Sequence, residues 1–208
     1  MPYINSKENK VRVLMAAAVL AGGENSRMGG AKKAFIKVNG AFIIQHTLEI
    51  LKAIFEEIIL VTNSTEDFKS YQDRAIITQD IIKNSGPLGG IHSALSKTSK
   101  TAVFFVACDM PFLQKETIFK QAEYFNGNNY DCLLARVGTQ VEPLHAVYKK
   151  NIAVKIKDFL KNQGDLSIKG FLTTLNVGYW DLADNSFNRN IFSNLNTRED
   201  LQRAGGQV

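Results

Sequence analysis

The chain has 208 residues, of which 45% are hydrophobic and 22% are charged, and it contains only four prolines. This composition excludes disordered, collagen-like and low-complexity polypeptides, and the length suffices to bury a core without disulfides. The 25 Lys and Arg residues exceed the 20 Asp and Glu residues by five. This charge suits an anionic partner without distinguishing nucleic acid, lipid headgroup or phosphorylated metabolite.

Cysteine and histidine are sparse. Cys108 and Cys132 are too few for a disulfide framework and lack CxxC spacing, so we expect a reducing compartment, the cytoplasm. The three histidines are scattered and predict no zinc site. The longest apolar run, Val13 to Ala21, is shorter than the roughly 18 residues of a membrane span. It is similar to the core of a secretory signal, but the Gly-Gly that follows favours a buried first strand.

Segments of strand character alternate with segments of helical spacing along the chain, which predicts an α/β fold without internal repeats or linkers. Several strands are apolar throughout, as in parallel strands covered on both faces. The predicted strands are Val11 to Ala21, Glu57 to Thr62, Ala75 to Thr78, Thr101 to Ala107, Asp131 to Ala135, Leu144 to Tyr148 and Asn176 to Leu182.

Helices are predicted between these strands. One has Leu48, Leu51 and Phe55 on a shared face, and a second begins after Pro87 with Ile91, Leu95 and Thr98 on a shared face. Others are Gln114 to Phe125, Asn151 to Lys161, and Thr197 to Ala204 with Asn196 as N-cap. Asn39-Gly40 predicts a tight hairpin turn. After about residue 136 the alternation loosens, and we expect antiparallel edge strands there.

The segment from Leu20 to Lys33 follows the first strand and contains four glycines. In parallel sheets ligands bind beyond the carboxyl ends of the strands, and a glycine-rich loop there brings backbone N–H groups close to an anion. Arg27 and Lys32 or Lys33 add positive charge for a polyphosphate. Neither GxxxxGK[ST] nor GxGxxG matches, so neither a P-loop site nor a dinucleotide site is indicated.

Three polar residues follow other predicted strands. Asp109 comes after the apolar strand ending at Ala107, where a carboxylate is costly to bury unless it binds a cation. Mg²⁺ accepts one or two carboxylates together with phosphates and water, so we expect Asp109 to hold Mg²⁺. Asp80 and Asn63 also follow strands, and a solvated carboxylate and a turn asparagine are the alternative interpretations.

The run from Leu20-Ala21-Gly22-Gly23 through Arg27-Met28-Gly29 to Lys33 resembles the LAGGxSxRMGxxK signature of nucleotidyltransferases with a glycosyltransferase-A-like fold. Within that group it most resembles the molybdenum cofactor guanylyltransferases. Further resemblances follow in family order at Gln79-Asp80, residues 85–90, residues 107–112 and residues 194–197. Two positions depart from the pattern: Lys32 replaces the usual acidic residue, and the serine expected near Asn25 is shifted or replaced.

The resemblance implies a three-layer, Rossmann-like, mostly parallel sheet with helices on both faces. It implies one nucleotidyltransferase domain over residues 1–208, with a nucleotide-binding half (11–112) and a second-substrate half (113–208). The implied reaction transfers GMP from GTP to the terminal phosphate of molybdopterin or the molybdenum cofactor, with Mg²⁺ and release of pyrophosphate. Molybdoenzymes or an accessory GTP-binding protein are the implied recipients of the product, and neither nucleic acid nor a membrane is an expected partner.

The resemblance also implies residue roles. Arg27, Lys33 and Asp109 are the expected catalytic residues, and Asp109 is the expected metal ligand. The expected nucleotide-binding residues are Leu20, Ala21, Gly22, Lys33, Asn63, Asp80 and Asp109. Asn194 and Asn196 are expected to contact the second substrate, and Arg136 and Glu142-Pro143-Leu144-His145 resemble second-substrate loops loosely.

Three other functions stay open at this stage. A cytidylyltransferase or sugar-phosphate nucleotidyltransferase would keep the fold and change the substrates. Gly22-Gly23, where cytidylyl relatives usually have Ala-Gly, and the small residues of 86–90 favour guanine. A non-catalytic nucleotide-binding protein would explain Lys32. A nucleic-acid binder is disfavoured because the positive charges are dispersed and lack interleaved aromatic residues.

Overall fold

The computed structural model describes residues 14–22, 33–162 and 166–207. The strands in these ranges are β1 (Met15–Leu20), β2 (Lys37–Val38), β3 (Ala41–Phe42), β4 (Ile58–Val61), β5 (Ile76–Thr78), β6 (Ala102–Ala107), β7 (Cys132–Val137), β8 (Gln140–Lys149), β9 (Val177–Leu182) and β10 (Gly206–Gln207). The α-helices are α1 (Ile43–Lys52), α2 (Gly86–Lys97), α3 (Lys115–Asn126), α4 (Ile152–Asn162), α5 (Ile168–Leu172), α6 (Ser186–Ile191) and α7 (Arg198–Arg203). Short 3-10 helices cover Lys33–Phe35 and Thr65–Tyr71.

Seven strands form one sheet in the order β5-β4-β1-β6-β8-β7-β9. β1 pairs in parallel with β4 and β6, and β4 with β5. β8 runs antiparallel to both β6 and β7, whereas β9 is parallel to β7. The predicted α/β fold with a mostly parallel sheet is confirmed. The expectation of antiparallel edge strands is wrong: the antiparallel strand β8 lies inside the sheet between β6 and β7, and the edge strand β9 is parallel to its neighbour β7.

Helices cover both faces of this sheet. β1 and β6 are buried along their whole lengths, and their side chains alternate between two apolar clusters. One cluster joins Leu48 of α1 and Ile118 of α3 to Ala17 and Phe104. The other contains Leu88 to Leu95 of α2, Ile152 to Phe159 of α4, and Phe171 of α5. None of the helices within the described ranges is long and apolar enough to cross a bilayer.

Several predicted boundaries change. Phe55 lies beyond the end of α1 at Lys52, and Thr98 is the extended C-cap residue of α2. Asn196 is not the N-cap of the last helix. Thr197 is, because its side chain accepts from Asp200 N while the Asp200 carboxylate accepts from Thr197 N in a capping box.

The predicted Asn39-Gly40 turn is confirmed. Asn39 and Gly40 have φ values of 52° and 85°, as a tight hairpin between β2 and β3 requires. β10 pairs with β2, so the end of the chain completes a separate three-stranded sheet. In sequence, β2 follows the 3-10 helix at Lys33–Phe35. The pairing of β10 with β2 therefore joins residues 206–207 to the first half of the chain.

Candidate active site

The carboxyl ends of four strands meet at one edge of the large sheet. Hydrogen bonds continue the ladders past the strand ends: Cys108 N donates to Leu20 O at 3.1 Å, and Ala21 N donates to Val61 O at 2.9 Å. Thr62 N likewise donates to Thr78 O at 2.9 Å. The residues that follow these strands therefore emerge side by side at this edge, where parallel α/β sheets bind their ligands.

The side chains of Lys33, Asp109 and Asn196 are joined by hydrogen bonds. Lys33 Nζ lies 2.8 Å from Asp109 Oδ2 and 2.7 Å from Asn196 Oδ1. The Lys33 and Asp109 side chains are only 23% and 16% exposed, so solvent screens this ion pair less than a surface pair. Residues from the first loop, the central strand and the end of the chain thus form one group, the Lys33 cluster.

Asp109 also holds the C-terminal segment through its backbone. Its carbonyl accepts a hydrogen bond from Leu195 N at 3.0 Å. The capping box of α7 fixes the next residues, since Asp200 Oδ2 accepts from Asn196 N at 3.1 Å. Asn194 Oδ1 is buried without a hydrogen-bond partner in the described part of the chain. The predicted second-substrate residues Asn194 and Asn196 therefore lie directly against the Asp109 loop.

Asn63 and Asp80 form a second pair at the same edge. Asn63 Nδ2 donates to Asp80 Oδ2 at 2.8 Å, and Asp80 N donates to Asn63 Oδ1 at 3.2 Å. Asn63 is exposed and Asp80 is half-buried. Two reciprocal hydrogen bonds orient these side chains, and in the described ranges no hydrogen bond joins them to the Lys33 cluster. The structure thus places the predicted polar residues in two groups.

The glycines near this edge serve two purposes. A Cβ on Gly22 would have no heavy atom of the described residues within 4 Å, and Gly22 itself is exposed among those residues. A Cβ on Gly89 would lie 2.9 Å from Ile82 O, and one on Gly90 would lie 3.1 Å from Leu20 Cδ2. The small residues of 86–90 were expected to favour guanine. In the structure, Gly89 and Gly90 let α2 pack closely on Leu20 and on the segment after Asp80.

Glu142 was assigned to a loosely matched second-substrate loop. Glu142 lies on β8 opposite Ala135 of β7, at a register shift in that pairing, and it is half-buried. Burial, and then the Asp109 charge, raise the pKa of Glu142. A hydrogen bond that Leu144 N donates to Glu142 Oε1 at 3.2 Å lowers the same pKa in part. Sequence reasoning missed this electrostatic effect of Asp109 on Glu142.

Other second-substrate candidates have structural partners. His145 is fully buried, with Nδ1 2.9 Å from Gln121 Oε1 and its ring edge-on to Phe104. Burial lowers the pKa of His145 to about 3, so the imidazole is neutral. The Arg136 guanidinium binds both Asp181 carboxylate oxygens, at 2.5 and 2.8 Å, which neutralises it.

The thiol of Cys108 is not a nucleophile. Burial and the neighbouring Asp109 carboxylate raise the pKa of Cys108 to about 12, so the thiol stays protonated at neutral pH. Burial also raises the pKa of Cys132 to about 12. Both cysteines are free, as the sequence predicted.

The described residues contain no preformed metal site made of His, Cys, Asp or Glu side chains. No group of three or more His, Cys, Asp or Glu side chains in these ranges could hold an ion. Lys33 Nζ nevertheless sits between a carboxylate oxygen and an amide oxygen, and these are the hard donors that Mg²⁺ uses with substrate phosphates. Arg27, the remaining predicted catalytic residue, and Lys32 lie outside the described residues.

Comparison with known proteins identifies the family. Residues 17–175 match the family described as "MobA-like NTP transferase domain". The chain belongs to this nucleotidyltransferase family. A probable molybdenum cofactor guanylyltransferase of Peptoclostridium acidaminophilum is 35% identical over 90% of this chain and 87% of its own. A molybdenum cofactor guanylyltransferase of Syntrophotalea carbinolica is 33% identical over 90% and 89%.

A solved structure supports the same family. The molybdopterin-guanine dinucleotide biosynthesis protein A of Archaeoglobus fulgidus has a TM-score of 0.73 and 27% identity, covering 92% of this chain and 97% of that one. The nucleotide-diphospho-sugar transferase type of fold is therefore confirmed. The resemblance to the molybdenum cofactor guanylyltransferases that the motifs indicate is also confirmed.

Proposed function

We propose that the chain transfers GMP from GTP to the terminal phosphate of molybdopterin, or of the molybdenum cofactor, and releases pyrophosphate. The Lys33–Asp109 contact of 2.8 Å at the ligand edge of the sheet carries this proposal, in a chain whose relatives are named guanylyltransferases. A phosphomonoester oxygen attacks the α-phosphorus of GTP, and the bond to the β-phosphate oxygen breaks. The attacking oxygen is already ionised near neutral pH, so no protein nucleophile is needed.

The chain's part in this reaction is positioning and charge neutralisation. The segment Leu20, Ala21 and Gly22, which ends β1 at this edge of the sheet, receives the nucleotide. The Lys33 ammonium, with Arg27, holds the β- and γ-phosphates of the leaving group. The reciprocal Asn63–Asp80 pair presents oriented polar atoms to the nucleoside part of GTP.

Mg²⁺ is the proposed cofactor. Asp109 would hold it, and the Asn196 amide oxygen lies on the other side of the same ammonium. When bound, the ion neutralises phosphate charge and aligns the reacting oxygens. The C-terminal segment carrying Asn194 and Asn196 would contact the second substrate from this side, where Asn194 Oδ1 is buried without a partner in the described residues. Delivery of the product to molybdoenzymes or to an accessory GTP-binding protein stays a prediction.

Nucleotide preference tests the proposal. Thermal unfolding is followed with Mg²⁺ and either GTP or CTP at equal concentrations, and pyrophosphate release is measured with molybdopterin present. A ligand at 100 times its dissociation constant adds about 2.7 kcal/mol to the free energy of unfolding. We expect the larger stabilisation with GTP, and turnover only when molybdopterin is present. A larger shift with CTP indicates a cytidylyltransferase, and GTP binding without pyrophosphate release indicates a nucleotide-binding protein without activity.

A further inference from the structure

The backbone around Asn196 is held by contacts from two sides. Leu195 N donates to Asp109 O at 3.0 Å, and the Leu195 side chain is buried. From the first turn of α7, the Asp200 carboxylate accepts from Asn196 N at 3.1 Å and from Thr197 N at 2.9 Å, both at Oδ2. Hydrogen bonds to an ionised acceptor are stronger than bonds between neutral groups. The backbone that carries the Asn196 side chain is therefore fixed by the Asp109 loop and by Asp200.

A small apolar cluster brings this segment and the segment after Lys33 together. It joins residues beside Asn196 and in and just after α7 to residues that follow Lys33 in sequence. Its buried members are Ile36, Ile43, Leu195, Leu201 and Ala204. Both residues of the 2.7 Å bond from Lys33 Nζ to Asn196 Oδ1 therefore lie close in sequence to one packed cluster.

The Asn196 side chain itself is exposed, so apolar packing does not hold it. Its direction toward Lys33 Nζ depends on its backbone and on that one printed side-chain bond. A displacement of about 1 Å at a group that positions a substrate can lower a rate about 10²-fold. The half-buried Asp200 carboxylate, which fixes Asn196 N, is thus placed to control where the Lys33 ammonium lies.

We propose that Asp200 is a positioning residue for GMP transfer, because it holds Asn196 and, through Asn196, the Lys33 ammonium. This inference rests on the proposed function, in which Lys33 holds the phosphates of the leaving group. The capping box of α7 then has two separable parts. The bond from Asp200 N to Thr197 Oγ1 at 3.1 Å stabilises the helix, whereas the Asp200 carboxylate holds the Asn196 backbone.

Two measurements test this role: kcat for GMP transfer, and the rate at which a soluble acylating reagent acetylates Lys33. The second is followed by mass spectrometry on the nucleotide-free chain, so it reports the freedom of the lysine without turnover. The variants are Asp200→Ala, Asn196→Ala, the two combined, and Asp200→Asn, which retains an oxygen that can accept from Asn196 N. Thermal unfolding sets an assay temperature at which every variant is folded.

Two controls separate positioning from helix stability. Glu199→Ala is the matched control for charge, because Glu199 is an exposed carboxylate in the same first turn of α7. Thr197→Ala removes the side chain that caps the helix and keeps the backbone N–H that donates to the Asp200 carboxylate. Both variants should match wild type in kcat and in acetylation of Lys33, although Thr197→Ala should lower the thermal midpoint.

We expect Asp200→Ala to lower kcat about tenfold, as loss of a group that orients a ligand does at metal sites. Acetylation of Lys33 should become about two- to tenfold faster, the factor that one lost hydrogen bond gives. Asp200→Asn should lose less than Asp200→Ala. Because Asp200 acts through Asn196, the double variant should lose no more than Asn196→Ala alone.

An Asp200→Ala chain that keeps either the wild-type kcat or the wild-type acetylation rate of Lys33 overturns the inference. An equal loss in Thr197→Ala, which would assign the effect to helix stability, also overturns it, and so do additive losses in the double variant. A wild-type chain that transfers no GMP refutes the proposed function, while the acetylation rates still test whether Asp200 positions the lysine.

Discussion

Lys33 Nζ lies 2.8 Å from Asp109 Oδ2, although 76 residues separate them in the chain. The same ammonium lies 2.7 Å from Asn196 Oδ1, which is 163 residues from Lys33. This single positive charge therefore occupies the oxygens that a metal ion would use. With Mg²⁺ on Asp109, as proposed, Lys33 and the divalent cation would compete for Asp109 Oδ2, and an ammonium displaced from this oxygen would be available to phosphate.

Replacement of Lys33 tests this competition. Lys33→Met should tighten Mn²⁺ binding to the nucleotide-free chain, because the competing ammonium is removed. The same change should lower GMP transfer roughly 10²- to 10³-fold, the effect of losing one preorganised cationic donor. Lys100→Met is the matched control, since Lys100 pairs with Glu56 away from this edge. Weaker Mn²⁺ binding in Lys33→Met would show that the lysine does not compete.

Asp109 should be essential for turnover but not for folding. Asp109→Asn keeps the shape of the side chain and removes the charge that holds the cation. We expect transfer to fall at least about 10³-fold, while circular dichroism and the thermal midpoint stay close to wild type. Asp184→Asn is the control, because Asp184 forms an exposed pair with Arg189. Near-normal transfer by Asp109→Asn would remove Asp109 from the mechanism.

Two glycines at the site should respond in opposite ways to alanine. Gly89→Ala should destabilise the fold by about 1–3 kcal/mol, because its Cβ would lie 2.9 Å from Ile82 O, a backbone atom. Gly22→Ala should leave stability within about 0.5 kcal/mol of wild type, since the added methyl meets no atom of the described residues within 4 Å. Gly22→Ala should instead weaken GTP binding. Urea unfolding and GTP titration measure the two effects, and a normal GTP affinity for Gly22→Ala would place the nucleotide elsewhere.

His145 should make stability depend on pH. Its pKa is about 3 in the fold and about 6.5 in the unfolded chain, so between these values the unfolded state binds more protons. Stability is therefore lost as the pH falls from about 6.5 toward 3, with roughly 2 kcal/mol lost by pH 5. Denaturant unfolding from pH 7 to 5 checks this against His145→Gln, with the exposed His46→Gln as control. An equal loss in His145→Gln would contradict the assignment.

Strand ends were predictable from local sequence, and contacts between distant segments were not. The apolar run before Asp109 predicts a buried strand and hence the sheet edge at which this carboxylate lies. Asn196 was expected to cap the last helix, but its side chain bonds to Lys33 instead, and the neighbouring Thr197 is the cap. That choice depends on a contact across 163 residues, which propensity does not encode.

Glu142 shows the same limit. Its half-buried position on β8, opposite Ala135, lies at the shift in the β7–β8 pairing. This register is set by packing between strands that the sequence pattern identifies only one at a time. The isolated motif Glu142-Pro143-Leu144-His145 therefore suggested His145 as readily as Glu142. Burial in the structure separates them, because His145 is in the core and Glu142 is only half-buried.

The fate of the GTP phosphates tests the proposed reaction most directly. The chain is incubated with Mg²⁺, molybdopterin and GTP labelled at either the α- or the γ-phosphate, and the products are separated. We predict that the α-label appears in a molybdopterin dinucleotide and the γ-label in pyrophosphate, in equal amounts and dependent on Asp109. Release of the γ-label as orthophosphate, or the absence of α-label from the pterin product, would contradict guanylyl transfer.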